Sequence, residues 1–219
     1  MIDKISYDLK ELVEISNISK NYGKKNVINS IDFVINNGDK IYLSGINGSG
    51  KTTLLKIIAG IILPSKGKVL FDKKTLFQSP ELRKNIGYMT TEIMFYETLT
   101  VKDNLKMFAA LFNLEDINKT VNRTIERFEL TSYQDCLISE ISSGMKRKFQ
   151  IAAATINSPK LLILDEPFNT LDEETIFKII EILRNYTVIF STHDKFIAKK
   201  LANRELNLHN GQIREVTYE

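Results

Sequence analysis

Hydrophobic and polar positions alternate through the first part of the chain. Val13, Ile15 and Ile18, then Val27, Ile31, Phe33 and Ile35, fall mostly at period two between turn residues at 21–23 and 36–39, which predicts an antiparallel pair of strands. A short apolar strand over 40–44 comes next. A glycine-rich loop leads from it into a helix through Leu54, Leu55, Ile57 and Ile58, and 69–71 predicts a further strand. The period then changes. Behind the N-cap pattern of Thr100 and Asp103, the residues Leu105, Phe108, Ala109 and Phe112 recur at helical spacing, and Ile117, Val121, Ile125 and Phe128 form a second amphipathic helix. A third helix is predicted over about 144–156. Beyond it, the uninterrupted apolar runs 161–164 and 188–190 flank a helix through Ile176, Ile179, Ile180 and Leu183. Continuous apolar runs alternating with helices mean a parallel sheet covered on both faces. Asn210-Gly211, between two alternating segments in 205–216, predicts a closing hairpin.

Composition narrows the class of protein. The 219 residues are 43% hydrophobic and 26% charged, enough apolar material for a real core. Thirty Lys and Arg against 27 Asp and Glu leave a net charge of +3 without a basic block, which argues against nucleic acid as the main ligand. The best candidate for a membrane span, 57–63, is far short of the roughly 18–20 apolar residues a crossing helix needs. The first ten residues lack a continuous hydrophobic stretch, so no secretory signal is predicted and the chain is expected in the cytosol. One cysteine, Cys136, and two histidines, His193 and His209, allow neither an internal disulfide nor a zinc cluster.

Two motifs carry chemistry. Gly45-Ile46-Asn47-Gly48-Ser49-Gly50-Lys51-Thr52 fits the phosphate-binding loop, in which glycines let backbone N–H groups curl around phosphate at a helix start. Lys51 would neutralise the β and γ phosphates, and the Thr52 hydroxyl would bind Mg²⁺. Asp165-Glu166-Pro167 places two carboxylates at the end of a buried strand, where open α/β sheets bind ligands. Asp165 would hold the metal shell and Glu166 would orient or deprotonate an attacking water. Taken alone, the acidic pair would equally suit the charged start of a helix.

A third group of motifs narrows the choice. Ile141-Ser142-Ser143-Gly144-Met145-Lys146-Arg147-Lys148 resembles the signature motif of ATP-binding cassette (ABC) proteins. Asn169-Thr170-Leu171-Asp172 resembles that family's D-loop, His193 after the strand 188–190 its switch histidine, and Tyr22 the aromatic residue that stacks on adenine. The resemblance runs from about Leu12 to Val216 in the family's motif order. It implies an α/β fold with a P-loop NTPase core of mainly parallel sheet, an N-terminal antiparallel β subdomain and an inserted α-helical subdomain. One domain over 1–219 is expected, with the core in 12–90 and 157–219 and the helical part in 91–156.

The resemblance implies an ATPase with ATP and Mg²⁺ as its cofactors. Tyr22, Gly45, Asn47, Gly48, Ser49, Gly50, Lys51, Thr52 and Thr53 would bind nucleotide on one face, and Glu166, His193 and Lys51 would carry hydrolysis. Ser142, Ser143, Gly144 and Asp172 would serve the nucleotide of a second ABC subunit arranged head to tail, in a homodimer or a heterodimer. The other implied partner is a transmembrane permease subunit, so the chain would sit on the inner face of the cell membrane. The short length and the Gly-Met-Lys-Arg-Lys variant resemble exporter cassettes. A soluble ATPase of the iron–sulfur assembly type and a low-activity regulatory subunit are the alternatives.

Two positions depart from the family. Ser143 replaces the first of two glycines, which costs energy if that position needs a positive φ and suits an N-cap. Thr91, in Ile86-Gly87-Tyr88-Met89-Thr90-Thr91-Glu92, falls where the Q-loop glutamine reaches toward metal and water, so it would contact Mg²⁺ only through a further water. Lys146, Arg147 and Lys148 are unfavourable at a helix N-terminus and read either as partners of phosphate or lipid headgroups or as a solvated face. Met94, Phe95 and Tyr96 are either core or a groove for a helix of the membrane partner.

Overall fold

The computed structural model describes residues 10–92 and 95–216. Among these residues the strands form two sheets. The first contains β1 (Glu11–Tyr22), β2 (Lys25–Asn36), β4 (Lys66–Phe71) and the two-residue β5 (Lys74–Thr75), in the order β2-β1-β4-β5 and wholly antiparallel. Pairs such as Val13 with Ile35 and Ile15 with Phe33 set its register, as the period-two pattern requires. The second sheet contains β3 (Lys40–Ser44), β6 (Ile86–Met89), β7 (Leu161–Leu164), β8 (Thr187–Phe190), β9 (Arg204–His209) and β10 (Gln212–Val216). Its order is β10-β9-β3-β8-β7-β6, and every pairing is parallel except the closing hairpin β9–β10. That hairpin turns through Asn210 and Gly211, both at positive φ (50° and 73°), the geometry a two-residue hairpin turn demands.

The uninterrupted apolar runs are explained by two cores on opposite faces of the parallel sheet. In β7, Leu161 and Ile163 join one core while Leu162 and Leu164 join the other; in β8, Ile189 is separated in the same way from Val188 and Phe190. The first core is filled by the antiparallel sheet and by α1 (Lys51–Ile58), which buries Leu54, Leu55, Ile57 and Ile58. The second is filled by α2 (Val101–Leu111), α3 (Ile117–Arg127), α4 (Ser143–Thr155), α5 (Glu173–Leu183) and α6 (Lys195–Leu201). Helix α5 buries Ile176, Ile179, Ile180 and Leu183, the stripe its spacing predicts. Among the described residues no helix is long and apolar enough to cross a membrane.

Five of the six α-helices described carry a side-chain cap at their start and one does not. Thr100, Asp116, Ser142, Asp172 and Asp194 each accept a hydrogen bond from a backbone N–H of the first turn, capping α2, α3, α4, α5 and α6. Helix α1 begins instead at Gly50, with no side-chain cap and no acidic residue in its first turn. Its first N–H groups and the positive end of its dipole are therefore left for something else.

Candidate functional site

The glycine-rich loop runs from β3 into α1 through backbone that few side chains tolerate. Gly48 and Gly50 lie at φ 77° and 107°. Gly45 lies at φ 150°, and a Cβ there would stand 2.5 Å from the Leu208 carbonyl oxygen, so the loop is pressed against β9. The Lys51 side chain folds back over this loop, its ammonium donating to the carbonyls of Gly45 (2.8 Å) and Ile46 (3.3 Å). A positive charge thus stands at the uncapped end of α1.

The acidic pair meets the loop from β7. The Thr52 hydroxyl donates to Asp165 Oδ2 at 2.7 Å, and the Ser191 hydroxyl, at the end of β8, donates to Asp165 Oδ1 at 2.6 Å. Ser191 also accepts from the Glu166 backbone N–H at 3.0 Å, so one buried hydroxyl orients both acidic residues. Glu166 sits at φ 52°, a left-handed conformation that turns its side chain off the strand direction. Its carboxylate is buried, and neither oxygen makes a complete hydrogen bond among the described residues, although His193 Nε2 lies 3.2 Å from Oε1. Burial pushes the Glu166 carboxyl above its usual range; the Asp165 charge adds to this, while His193 and Lys51 oppose it. The Tyr42 hydroxyl donates to the Thr192 carbonyl at 3.1 Å and fixes the loop that carries His193.

These groups surround one cavity of about 460 Å³, with the buried Lys51, Asp165 and Glu166 at its floor and the exposed Thr52, His193, Tyr22 and Thr91 around them. Asn47, Gly48, Gly50 and Thr53 line it as well, and Ser49 lines an adjoining cavity of about 360 Å³. Tyr22 is half exposed, with the Lys20 ammonium 5.1 Å from its ring centroid. Asp165 and Thr52 suit Mg²⁺ as a carboxylate and hydroxyl pair. Among the described residues no group of three or more His, Cys, Asp or Glu could hold a metal.

Ser142, Ser143, Gly144 and Asp172 do not line this cavity. Ser142 is the N-cap of α4, its hydroxyl accepting from the Met145 N–H at 3.2 Å. Ser143 is the first helical residue and is not at positive φ, so its side chain causes no backbone strain and the capping role falls to its neighbour. Asp172 caps α5, and its carboxyl is held below the usual range by the Thr175 backbone N–H and hydroxyl. The basic run behind Gly144 is not a solvated face. Lys146 pairs with Glu97 (3.5 Å), Lys148 is buried against Glu129 (3.7 Å), and Arg147 lies over Thr90 and Gln150. His209 is exposed at the end of β9.

Sequence reasoning missed Ser191 and Tyr42. The signal for Ser191 was its place: Leu164 pairs with Phe190, so the residue after each strand stands at the same sheet edge.

A second, apolar cavity of about 240 Å³ lies where β6, α2 and α4 meet, lined by Met89, Phe95, Phe108, Phe112 and Ala153 among others. Phe95 packs on Phe108 and Phe149, at 5.8 and 4.3 Å between ring centroids, while Tyr96 is exposed beside it. Met94 lies outside the described residues. The buried Asn104 amide fastens the loop over 96–100, accepting from the Tyr96 N–H and donating to the carbonyls of Tyr96, Leu99 and Thr100.

Known proteins resemble this chain in sequence and fold. The profile of the ABC transporter family matches residues 28–169. The sulfate/thiosulfate import ATP-binding protein CysA of Thermosynechococcus vestitus is 31% identical over 212 residues, which cover 93% of this chain and 63% of the relative. The chain thus spans a little under two thirds of that relative's length. The lantibiotic transport ATP-binding protein SrtF of Streptococcus pyogenes is 31% identical over 207 residues, covering 92% of this chain and 89% of the relative. A solved ATP-binding subunit of an ABC transporter superposes with a TM-score of 0.87 at 29% identity, over 94% of this chain and 90% of that one. The chain belongs to the ABC transporter family, as one of the ATP-binding cassettes of that family of ATPases.

Proposed function

We propose that the chain binds ATP with Mg²⁺ in the 460 Å³ cavity and hydrolyses its terminal phosphate, driving a separate membrane-spanning permease. The observation that carries this reading is the buried Glu166 carboxylate, left without a complete hydrogen bond beside the ordered series Thr52–Asp165–Ser191. A buried acid whose hydrogen bonding is incomplete costs free energy, and such groups concentrate where a reacting molecule completes the site.

Phosphoryl transfer asks the protein for position and charge more than for covalent chemistry. The open start of α1 and the Lys51 ammonium suit the β and γ phosphates, and Tyr22 offers its ring to adenine. Thr52 and Asp165 would hold Mg²⁺, with Thr91 reaching it through water; when bound, the ion supplies charge neutralisation between phosphate oxygens. Glu166 aligns a water and takes its proton as the water oxygen attacks the γ phosphorus. The bond to the bridging oxygen breaks, and ADP and phosphate leave. His193 steadies the γ phosphate and the water opposite Glu166.

The chain works as one cassette over 1–219, with its core in 12–90 and 157–219 and its helical part in 91–156. Two cassettes close head to tail, so that Ser142, Ser143 and Gly144 at the start of α4, with Asp172, complete the neighbour's site. That none of them lines this chain's own cavity supports that reading. The apolar cavity bordered by Phe95, Phe108 and Phe112 would receive a helix of the permease, which holds the cassette on the inner face of the cell membrane. Export is the direction favoured by the Gly-Met-Lys-Arg-Lys sequence at 144–148.

Replacing Lys51 by Ala tests the site. Nucleotide affinity should fall by about tenfold or more and hydrolysis should be lost; unaltered binding and turnover would reject this cavity as the ATP site.

A further inference from the structure

Thr91 is exposed at the rim of the nucleotide cavity and is too short to span it, so a link between the signature helix and the catalytic carboxylates must come from elsewhere. The structure contains one. Arg147 and Gln150 lie three residues apart on α4, on the side that meets the 90–92 segment. Arg147 Nη1 donates to Gln150 Oε1 at 3.0 Å and to the Thr90 carbonyl at 3.5 Å, and Gln150 Nε2 donates to the Glu92 carbonyl at 2.8 Å. The next carbonyl back along the chain, that of Met89, accepts from the Asp165 backbone N–H at 2.9 Å. Adjacent peptide units are therefore held, one by α4 and one by the acidic strand end.

We infer that Arg147 is a positioning residue for ATP hydrolysis. With Gln150 it clamps the main chain of Thr90–Glu92 to α4, and through Met89 it keeps Asp165 and Glu166 in register with the signature-bearing end of that helix. The link runs through backbone carbonyls and does not depend on the residue at position 91. Two observations support it beyond the hydrogen bonds. Gln150 is buried, so its amide is held in one orientation. Arg147 is half-buried, and although burial lowers its pKa, the charges of Glu166 and Asp165 act on it in the opposite sense, which places a fixed positive charge within their field. A rigid connection of this kind matters because small misplacements of catalytic groups are costly. The inference rests on the proposed ATPase reading.

The test uses the full chain with Arg147→Ala, Arg147→Lys and Gln150→Leu. Amide hydrogen exchange in the absence of nucleotide reads the link at the Asp165 N–H, which the Met89 carbonyl protects: Arg147→Ala should speed exchange there by about tenfold, with the amides of the antiparallel sheet unchanged. In steady-state hydrolysis, Arg147→Ala should lower kcat by about tenfold while KM and the affinity for a fluorescent ATP analogue change by less than about twofold. Arg147→Lys, which keeps the charge and loses the fork, should recover only part of kcat, and the Arg147→Ala/Gln150→Leu double variant should lose less than the sum of the singles. Unchanged exchange at the Asp165 N–H, or a kcat loss matched by an equal loss of nucleotide affinity, would overturn the inference. Absence of hydrolysis in the unmodified chain would instead count against the ATPase reading, while the exchange measurement still decides the clamp.

Discussion

A methyl group added at Gly144 would stand 2.8 Å from the carbonyl oxygen of Thr170. The start of α4 and the loop Asn169–Asp172 are in contact within one chain, and that contact requires glycine independently of any phosphate. Thr170 itself is at φ 68°, where a β-branched residue is strained. Gly144→Ala should lower stability by about 1–3 kcal/mol, because the backbone must shift to admit the methyl. Thr170→Gly should raise it by about 1 kcal/mol, the strain relief less the added chain entropy. Thermal or denaturant unfolding of both variants checks the pair; a neutral Gly144→Ala would contradict the close contact.

Ser191 is fully buried and is shared by Asp165 and Glu166. Ser191→Ala strands a carboxylate oxygen and a backbone N–H in the interior. The expected cost is about 2–4 kcal/mol by denaturant unfolding, together with reduced hydrolysis. A variant as stable as the parent would show that the hydroxyl does not bridge the two.

Burial pushes the Tyr88 phenol up to about 12, against a smaller opposing effect of the Thr90 hydroxyl. The folded chain therefore keeps this proton when the unfolded chain, near pH 10, begins to lose it. The associated stability is complete below pH 10 and is lost as pH rises from 10 to about 12. Tyr88→Phe should remove that part of the alkaline destabilisation. It amounts to about 1 kcal/mol, less than the full linkage value because the residue is only half-buried. Parallel alkaline profiles for parent and variant would contradict the assignment.

The strands and helices legible in the sequence were those whose pattern was uninterrupted. The run 161–164 is unmistakable, and α5 shows its buried stripe directly. Strand β6 is harder to see, because Gly87 occupies the place where α4 packs against the sheet and a side chain there would strike the Ala154 carbonyl. The phosphate loop and the Asp165-Glu166 pair are local in sequence and were read as such. Ser191, Tyr42 and the Arg147–Gln150 clamp act across 25 to 150 residues or through backbone carbonyls, and no local pattern encodes such contacts. The pairing of Lys146 and Lys148 was hidden for a similar reason, since their partners Glu97 and Glu129 lie on other segments.

Thr91 lines the nucleotide cavity from a loop that also borders the apolar groove through Thr90 and Glu92. Thr91→Gln would restore a side chain long enough to reach the metal and the attacking water. The ratio of hydrolysis with the proposed permease partner present to hydrolysis without it should change by about fivefold or more. Identical ratios would show that position 91 does not affect coupling.

The central claim is that Glu166 activates water against ATP held by Lys51, Thr52 and Asp165. The most direct measurement is phosphate release by Glu166→Gln at saturating ATP and Mg²⁺, beside nucleotide binding by the same protein. Release should fall by about 10²–10⁴-fold while binding persists. Undiminished release with normal binding would contradict the claim.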